Sequence, residues 1–143
     1  MLVPYLTIAD PKAAMALYEK ALGATTTMKM DGPDDSIMHA EMSIGGHTLM
    51  LSAEWPGMAE APNGRSSVNF MLYVPDVDEA LKTAVSAGMT VVSEVELMFW
   101  GDKNAKVNDG HGYEWTFAEK VEDVSPEEIK RRADEWAAAN MGG

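Results

Sequence analysis

His39 and Glu41 stand two residues apart in the run Ile37-Met38-His39-Ala40-Glu41-Met42. In a strand, residues i and i+2 share a face, so a carboxylate there can orient the neighbouring imidazole. Three readings are open for the pair: contact with a bound ligand, general acid/base or metal chemistry, and a structural hydrogen-bonded pair. No third ligand is visible nearby in the sequence. Glu114 and Thr116 repeat the spacing; they could hold a polar ligand group, but a carboxylate near a strand end more often stays solvated. Trp100 could cap a cavity as a stacking platform or sit in the core. His47, beside Gly45-Gly46, and His111, in a glycine-flanked turn, read as exposed polar residues. Asp102 and Lys103 read as a turn with a local ion pair, and Asp31 to Asp35, interrupted by Pro33, as a plain turn and not a calcium loop. Gly45-Gly46 lacks the strand-to-helix context of a phosphate loop.

The elements that would carry these residues follow from turn and cap chemistry. Residues 2–8 are β-rich and run into Asp10-Pro11, a cap with proline at the first helical position. From 11 to 22 the apolar residues Ala14, Leu17, Tyr18, Ala21 and Leu22 follow helical spacing, and Gly23 closes the helix. The order then repeats. Ser67 to Val74 reads as a strand, Asp76 as a cap, Glu79 to Ala87 as a helix and Gly88 as its end. An offset of 66 superposes Asp76 on Asp10, Leu72 on Leu6 and Ala80 on Ala14; an offset of 65 superposes Gly88 on Gly23. Each copy would leave an apolar face for its twin to cover. Strands are expected at 25–30, 36–44 and 47–53 in the first copy. In the second they are expected at 89–95, at 97–100 extending towards Val107, and at 113–119. Ser125-Pro126-Glu127-Glu128 is a capping box that starts a terminal helix, with Ile129, Ala133 and Trp136 as its apolar stripe.

The expected fold class is therefore α+β: two βαβββ modules, at about 1–53 and 67–119, form a single domain. A linker spans 54–66, and a C-terminal helix runs over about 126–139. Strand alternation sorts the side chains. Leu6, Ile8, Met38, Ala40, Met42, Val68, Phe70, Leu72, Val74, Trp115 and Phe117 fall on helix-covered faces. Tyr5, Thr7, His39, Glu41, Asn69, Met71, Tyr73, Glu114 and Thr116 fall on the opposite, mixed faces. Met50 joins them and, with Met71, would make an adaptable wall against an apolar ligand. Such faces suit a small-molecule cavity better than a dry core.

With 46% apolar and 24% charged residues the chain has the composition of a globular domain. Eleven basic against 23 acidic residues leave a net charge of −12, which repels phosphate backbones and anionic membranes, so neither nucleic acid nor membrane is an expected partner. An anionic ligand would need a local basic spot such as Arg65 or Lys103. The absence of cysteine excludes disulfides and thiolate sites and points to a reducing compartment. Met1-Leu2-Val3-Pro4 lacks a basic n-region and no run is long enough to span a bilayer, so a cytoplasmic protein is expected.

The chain resembles the vicinal oxygen chelate superfamily of glyoxalases, bleomycin-resistance proteins and extradiol dioxygenases, and most closely its PhnB-like branch. The resemblance rests on Pro4-Tyr5-Leu6, Leu17-Tyr18, Leu22-Gly23, Met38-His39-Ala40-Glu41, Ile44-Gly45-Gly46 and Leu49-Met50-Leu51-Ser52. It continues through Met98-Phe99-Trp100-Gly101-Asp102, Val107, Asp109, Gly112, Trp115 and Glu122 to Glu128. Asp109-Gly110-His111-Gly112-Tyr113 departs from the branch's Asp-Pro-Phe-Gly-His, and Ala105 stands where glycine is usual. The resemblance implies an open, U-shaped mixed sheet around a cavity, and a homodimer. It also implies metal-ligand slots near Val3, at Met50 or Leu51, at Asn69 and at Thr116. None of these is His, Asp or Glu, so no metal or other cofactor is expected.

The resulting expectation is metal-independent binding of a small organic molecule, with Tyr5, Thr7, His39, Glu41, Met50, Ser52, Asn69, Met71, Tyr73, Trp100, Glu114 and Thr116 as candidate contacts. Two alternatives remain at this point. One is a lyase, isomerase or dioxygenase with a site relocated to His39 and Glu41, assisted by Tyr5, Tyr73 or Glu114. The other is a structural module with a vestigial cavity.

Overall fold

Two aspartates start the first two helices. In the computed structural model, which describes residues 1–142, Asp10 Oδ1 accepts from the Ala13 amide at 3.1 Å and Asp76 Oδ1 from the Glu79 amide at 3.2 Å. Each thereby satisfies an amide that the first helical turn leaves free. The elements run β1 (Tyr5–Thr7), α1 (Pro11–Leu22), β2 (Thr25–Asp31), β3 (Ile37–Ile44) and β4 (His47–Ser52). The same order follows in β5 (Phe70–Tyr73), α2 (Val77–Ala87), β6 (Thr90–Leu97), β7 (Asp102–Asn108) and β8 (Glu114–Lys120), before α3 (Pro126–Asn140). The chain is thus two βαβββ modules and a terminal helix.

Both sheets have the same topology: β1-β4-β3-β2 in the first and β5-β8-β7-β6 in the second. β1 lies parallel to β4 and β5 parallel to β8, while the remaining pairs are antiparallel. Registers make the repeat concrete. Leu51 sits between Leu6 and Ala40 as Phe117 sits between Leu72 and Ala105. His39 is therefore equivalent to Asn104, Glu41 to Lys106, Met50 to Thr116 and Tyr5 to Met71.

One hydrophobic cluster runs through both modules, with Leu6, Ile8, Tyr18, Ile37, Met42, Leu51, Val77, Val107 and Phe117 among its fully buried members. Each such aliphatic side chain contributes about 1.5–3 kcal/mol. α1 packs on α2, so the twin helices close much of the contact between modules. Among the described residues no helix is long and apolar enough to cross a membrane.

Several expectations need correction. The first strand is confined to Tyr5–Thr7, and Leu2 is fully exposed. The strand expected at Ser67–Val74 is only Phe70–Tyr73, which leaves Val68 58% exposed on the linker side. Met38 is exposed and not under the helix. A register shift pairs Met30 with His39 but Asp31 with Ile37, and this bulge turns Met38 out and Ile37 in. Residues 98–100 are a turn, not a strand. The Met98 amide bonds the Asp102 carbonyl at 2.7 Å and the Gly101 amide bonds the Met98 carbonyl at 3.0 Å, so the strand begins at Asp102. Asp102 and Lys103 accordingly open β7, where Lys103 pairs with Asp78 of α2 and not with its neighbour.

Candidate functional site

On sheet one, Tyr5, Met50 and Glu41 lie side by side across β1, β4 and β3, Thr7 pairs with Ser52, and His39 lies two residues from Glu41 along β3. Alternation sends these six away from the helix, because Leu6, Ala40 and Leu51 between them are buried in the core. The Tyr5 hydroxyl lies 2.8 Å from His39 Nδ1, and His39 Nε2 lies 3.3 Å from Glu41 Oε1. A neutral imidazole with its proton on Nε2 satisfies both contacts, donating to Glu41 and accepting from Tyr5. The result is a hydroxyl–imidazole–carboxylate chain on a partly exposed face. Chemically it can bind a polar group or relay a proton. Ser52 is buried and its hydroxyl turns to the Ala53 carbonyl at 2.9 Å.

Sheet two carries Met71, Tyr73, Glu114 and Thr116 on the corresponding face, with Asn69 just ahead of β5. Two carboxylates there differ from expectation. Glu114 is only 3% exposed and accepts from Arg65 Nη1 of the linker at 3.2 Å, so it is a buried, paired group and not a solvated one. Asp102, also buried, accepts from the Tyr73 hydroxyl at 2.7 Å, which pushes the Tyr73 phenol up from 10.0. Trp100 belongs to neither face. It stands edge-on to Phe99, with ring centroids 4.9 Å apart, in the turn near α3. Among the described residues no side-chain hydrogen bond joins the polar set of sheet one to that of sheet two.

A cavity of about 410 Å³ opens between the modules. Leu2, Val3 and Pro4, the β3–β4 hairpin with His47 and Leu49, and Asn69 to Leu72 line it. His47, expected only as an exposed hairpin residue, is exposed and also borders this cavity.

Sequence reasoning missed Asp109. It is 3% exposed and takes four donors: the Tyr18 hydroxyl at 2.6 Å, Trp115 Nε1 at 3.2 Å, and the amides of His111 and Tyr113 at 2.7 and 3.1 Å. Burial, with this carboxylate beside it, drives the Tyr18 phenol far above its ordinary range. Asp109 thus ties α1 of module one to the β7–β8 loop of module two. Tyr113 adds a second tie, its hydroxyl donating to the Thr7 carbonyl at 3.0 Å. Asn104 and Lys106, also missed, share the mixed face of β7.

Paired βαβββ modules with one mixed face each and a cavity between them define a class of small α+β proteins. The family model of the Glyoxalase/Bleomycin resistance protein/Dioxygenase superfamily matches residues 2–117, and the chain belongs to that superfamily. It is 34% identical over 135 residues to an uncharacterized protein, Rv0887c, of Mycobacterium tuberculosis, covering 90% of this chain and 79% of that protein. The solved structure of an Arabidopsis thaliana gene product aligns with a TM-score of 0.69 at 27% identity, over 82% of this chain and 97% of that one. The fosfomycin resistance protein FosX of Listeria monocytogenes shares the fold, with a TM-score of 0.69 at 12% identity over 90% and 96% of the two chains.

The superfamily resemblance implies metal ligands near Val3, at Met50 or Leu51, at Asn69 and at Thr116. Aliphatic, thioether, amide and hydroxyl groups are a poor donor set for a divalent ion, so the residues present do not fit one. Among the described residues, no three His, Asp or Glu side chains gather closely enough to form another site.

Proposed function

We propose that this chain is a metal-independent binder of a small organic molecule, of the PhnB-like branch of its superfamily, working as a cytoplasmic homodimer. The observation that carries the reading is the cavity between the modules. Its volume of about 410 Å³ falls in the range of ligand pockets, and aliphatic, aromatic and thioether walls surround a few polar groups, those of Asn69, His47 and Thr48. The weak donor set at the metal slots supports binding without a metal. The homodimer reading draws on the apolar side chains that the sheets leave exposed, Met71 and Leu97 among them. The charge of −12 supports a partner other than nucleic acid or membrane.

The test is elemental mass spectrometry on protein grown with transition metals available, followed by a thermal-shift ligand screen with and without chelator. The expected result is far less than one metal per chain and a ligand-induced rise in Tm that chelator leaves intact. Stoichiometric metal, or a shift that chelator removes, overturns the reading.

A second reading is favoured by the 2.8 Å contact of Tyr5 with His39: an enzyme of the superfamily using His39 as base and Glu41 to orient it. His39→Ala would then abolish turnover with Tm nearly unchanged.

A further inference from the structure

Of the basic residues near sheet two, most are already paired. Lys103 bonds Asp78, Lys120 lies 3.5 Å from Asp123, and Arg65 bonds Glu114. The two local basic spots named from sequence, Arg65 and Lys103, are therefore both neutralised. Lys106 is different. It is half-buried, has no ion pair among the described residues, and lies on the mixed face, because Ala105 and Val107 on either side are buried in the core. Thr116 sits directly beside it on β8.

Two residues earlier on the same face, Asn104 is 5% exposed, and its Oδ1 has no hydrogen-bond partner. A buried polar atom left unpaired is costly, and the site retains one. Exchanging the amide's oxygen and nitrogen would move the vacancy from acceptor to donor without filling it. A ligand amide, which offers both an N–H and a carbonyl, completes Asn104 in either assignment.

The neighbours give the site a direction. Tyr73 reaches over β8, above the fully buried Ala118, to place its hydroxyl on Asp102, so ring and carboxylate wall off the Asn104 end. Along β7 the face reads Asp102, Asn104, Lys106: negative, neutral, positive. An acid is repelled from the first end and attracted to the last. Asn104 and Lys106 are roughly 7 Å apart along the strand.

On the mixed face of sheet two, apart from the residues that line the cavity described above, we infer that Asn104, Lys106 and Thr116 form a separate anchor for a carboxylate-bearing amide. Lys106 and Thr116 take the carboxylate and Asn104 takes the amide. None of the three is assigned a part in the His39–Glu41 chain on the other sheet. The uncompensated cation at Lys106 makes an acidic ligand compatible with a strongly acidic protein.

The test uses the full-length ¹⁵N-labelled chain and three probes: N-acetyl-L-phenylalanine, its carboxamide, and 3-phenylpropionate. N-acetyl-L-phenylalanine is expected to bind tightest and to shift amide resonances around Asn104, Lys106 and Thr116. Capping its carboxylate should weaken binding about tenfold or more. Lys106→Met should erase the preference for acid over carboxamide. Asn104→Leu should weaken both amide probes and spare 3-phenylpropionate; if that buried variant does not fold, Lys106→Met decides alone. Equal affinity for acid and carboxamide in the unaltered chain overturns the inference, as do shifts centred on Tyr5 and His39. If all three probes leave the spectrum unchanged while a neutral compound from the thermal-shift screen binds, this anchor fails and the small-molecule reading stands. If nothing in either set binds, both fail.

Discussion

At equivalent places on two sheets of the same topology, module one carries Tyr5, His39 and Glu41, and module two carries Met71, Asn104 and Lys106. The first set is hydrogen-bonded within itself. The second is not, and leaves a buried amide oxygen and a cation for something else to satisfy. Duplication kept the scaffold because the core positions Leu6, Ala40 and Leu51 recur as Leu72, Ala105 and Phe117, all apolar. The opposite faces are free to differ, because their side chains do not have to pack against the helices. A self-satisfied face is suited to relaying a proton or presenting a preformed surface, and an unsatisfied one to holding a partner.

The hairpins between the third and fourth strands of each module diverge even more. Module one turns through Gly45-Gly46, whereas module two spends Asp109 to Tyr113 on a loop folded around one carboxylate. Asp109→Ala should show the largest effect of any change that probes this difference. It leaves the Tyr18 hydroxyl and Trp115 indole without their buried acceptor, at about 1–3 kcal/mol each. Urea denaturation should report a loss of roughly 3 kcal/mol or more. A loss below about 1 kcal/mol would mean that the loop does not fasten the modules.

A matched pair of glycine changes sharpens the same contrast. Gly46 has φ +83° with open space around an added Cβ, so Gly46→Ala should cost about 1 kcal/mol from backbone strain alone. Gly112 has φ +97°, and its Cβ would meet the Pro62 ring at 3.0 Å, where the linker crosses the loop. Gly112→Ala should cost about 2–3 kcal/mol, and equal thermal shifts for the two would break the comparison.

The two tyrosines on the mixed faces supply a third, smaller test. Tyr73→Phe strips a donor from the buried Asp102 and should cost about 1–2 kcal/mol. Tyr5→Phe removes a contact that water can replace and should cost about 0.5 kcal/mol or less by the same denaturation assay. The reverse order would mean that the chain on sheet one, and not the pair on sheet two, is the stabilising one.

What the sequence made legible follows from the range of the interactions. The helices were readable because Asp10, Asp76, Gly23 and Gly88 act on their own first and last turns. The proximity of His39 and Glu41 was readable because strand alternation is local. The role of Asp109 was not, since one of its donors, Tyr18, lies 91 residues away. Glu114 was expected in water because nothing nearby in sequence announces Arg65, 49 positions upstream. Asn104 and Lys106 were overlooked for another reason. The apolar run of Met98, Phe99 and Trp100 imitates a strand and Asp102-Lys103 a turn, whereas the regular alternation of β7 begins only at Asp102.

α3 belongs to neither module, and it differs from α1 and α2 in having no buried residue. Its packing comes from half-buried side chains such as Ile129 and Ala133 and from the contact of Trp136 with Phe99, ring centroids 6.3 Å apart, so ion pairs and a cap carry more of the work. Ser125 caps it, and Glu128 receives Arg131 and Arg132, whose guanidinium groups lower its carboxyl from 4.5 to about 2. Arg132 also bonds Glu122 and the Phe99 carbonyl, which ties the helix to the β6–β7 turn. A carboxyl depressed in the folded chain contributes above its unfolded pKa, near 4.5, and loses that contribution as pH falls towards 2. Because Glu128 is at the surface, the effect should be small and salt-sensitive. NMR chemical shifts of residues 126–140 should move towards random coil between pH 4.5 and 2 while those of α1 and α2 hold, and Glu128→Gln should weaken that pH dependence. Unfolding of all three helices together would show that α3 is held by the modules after all.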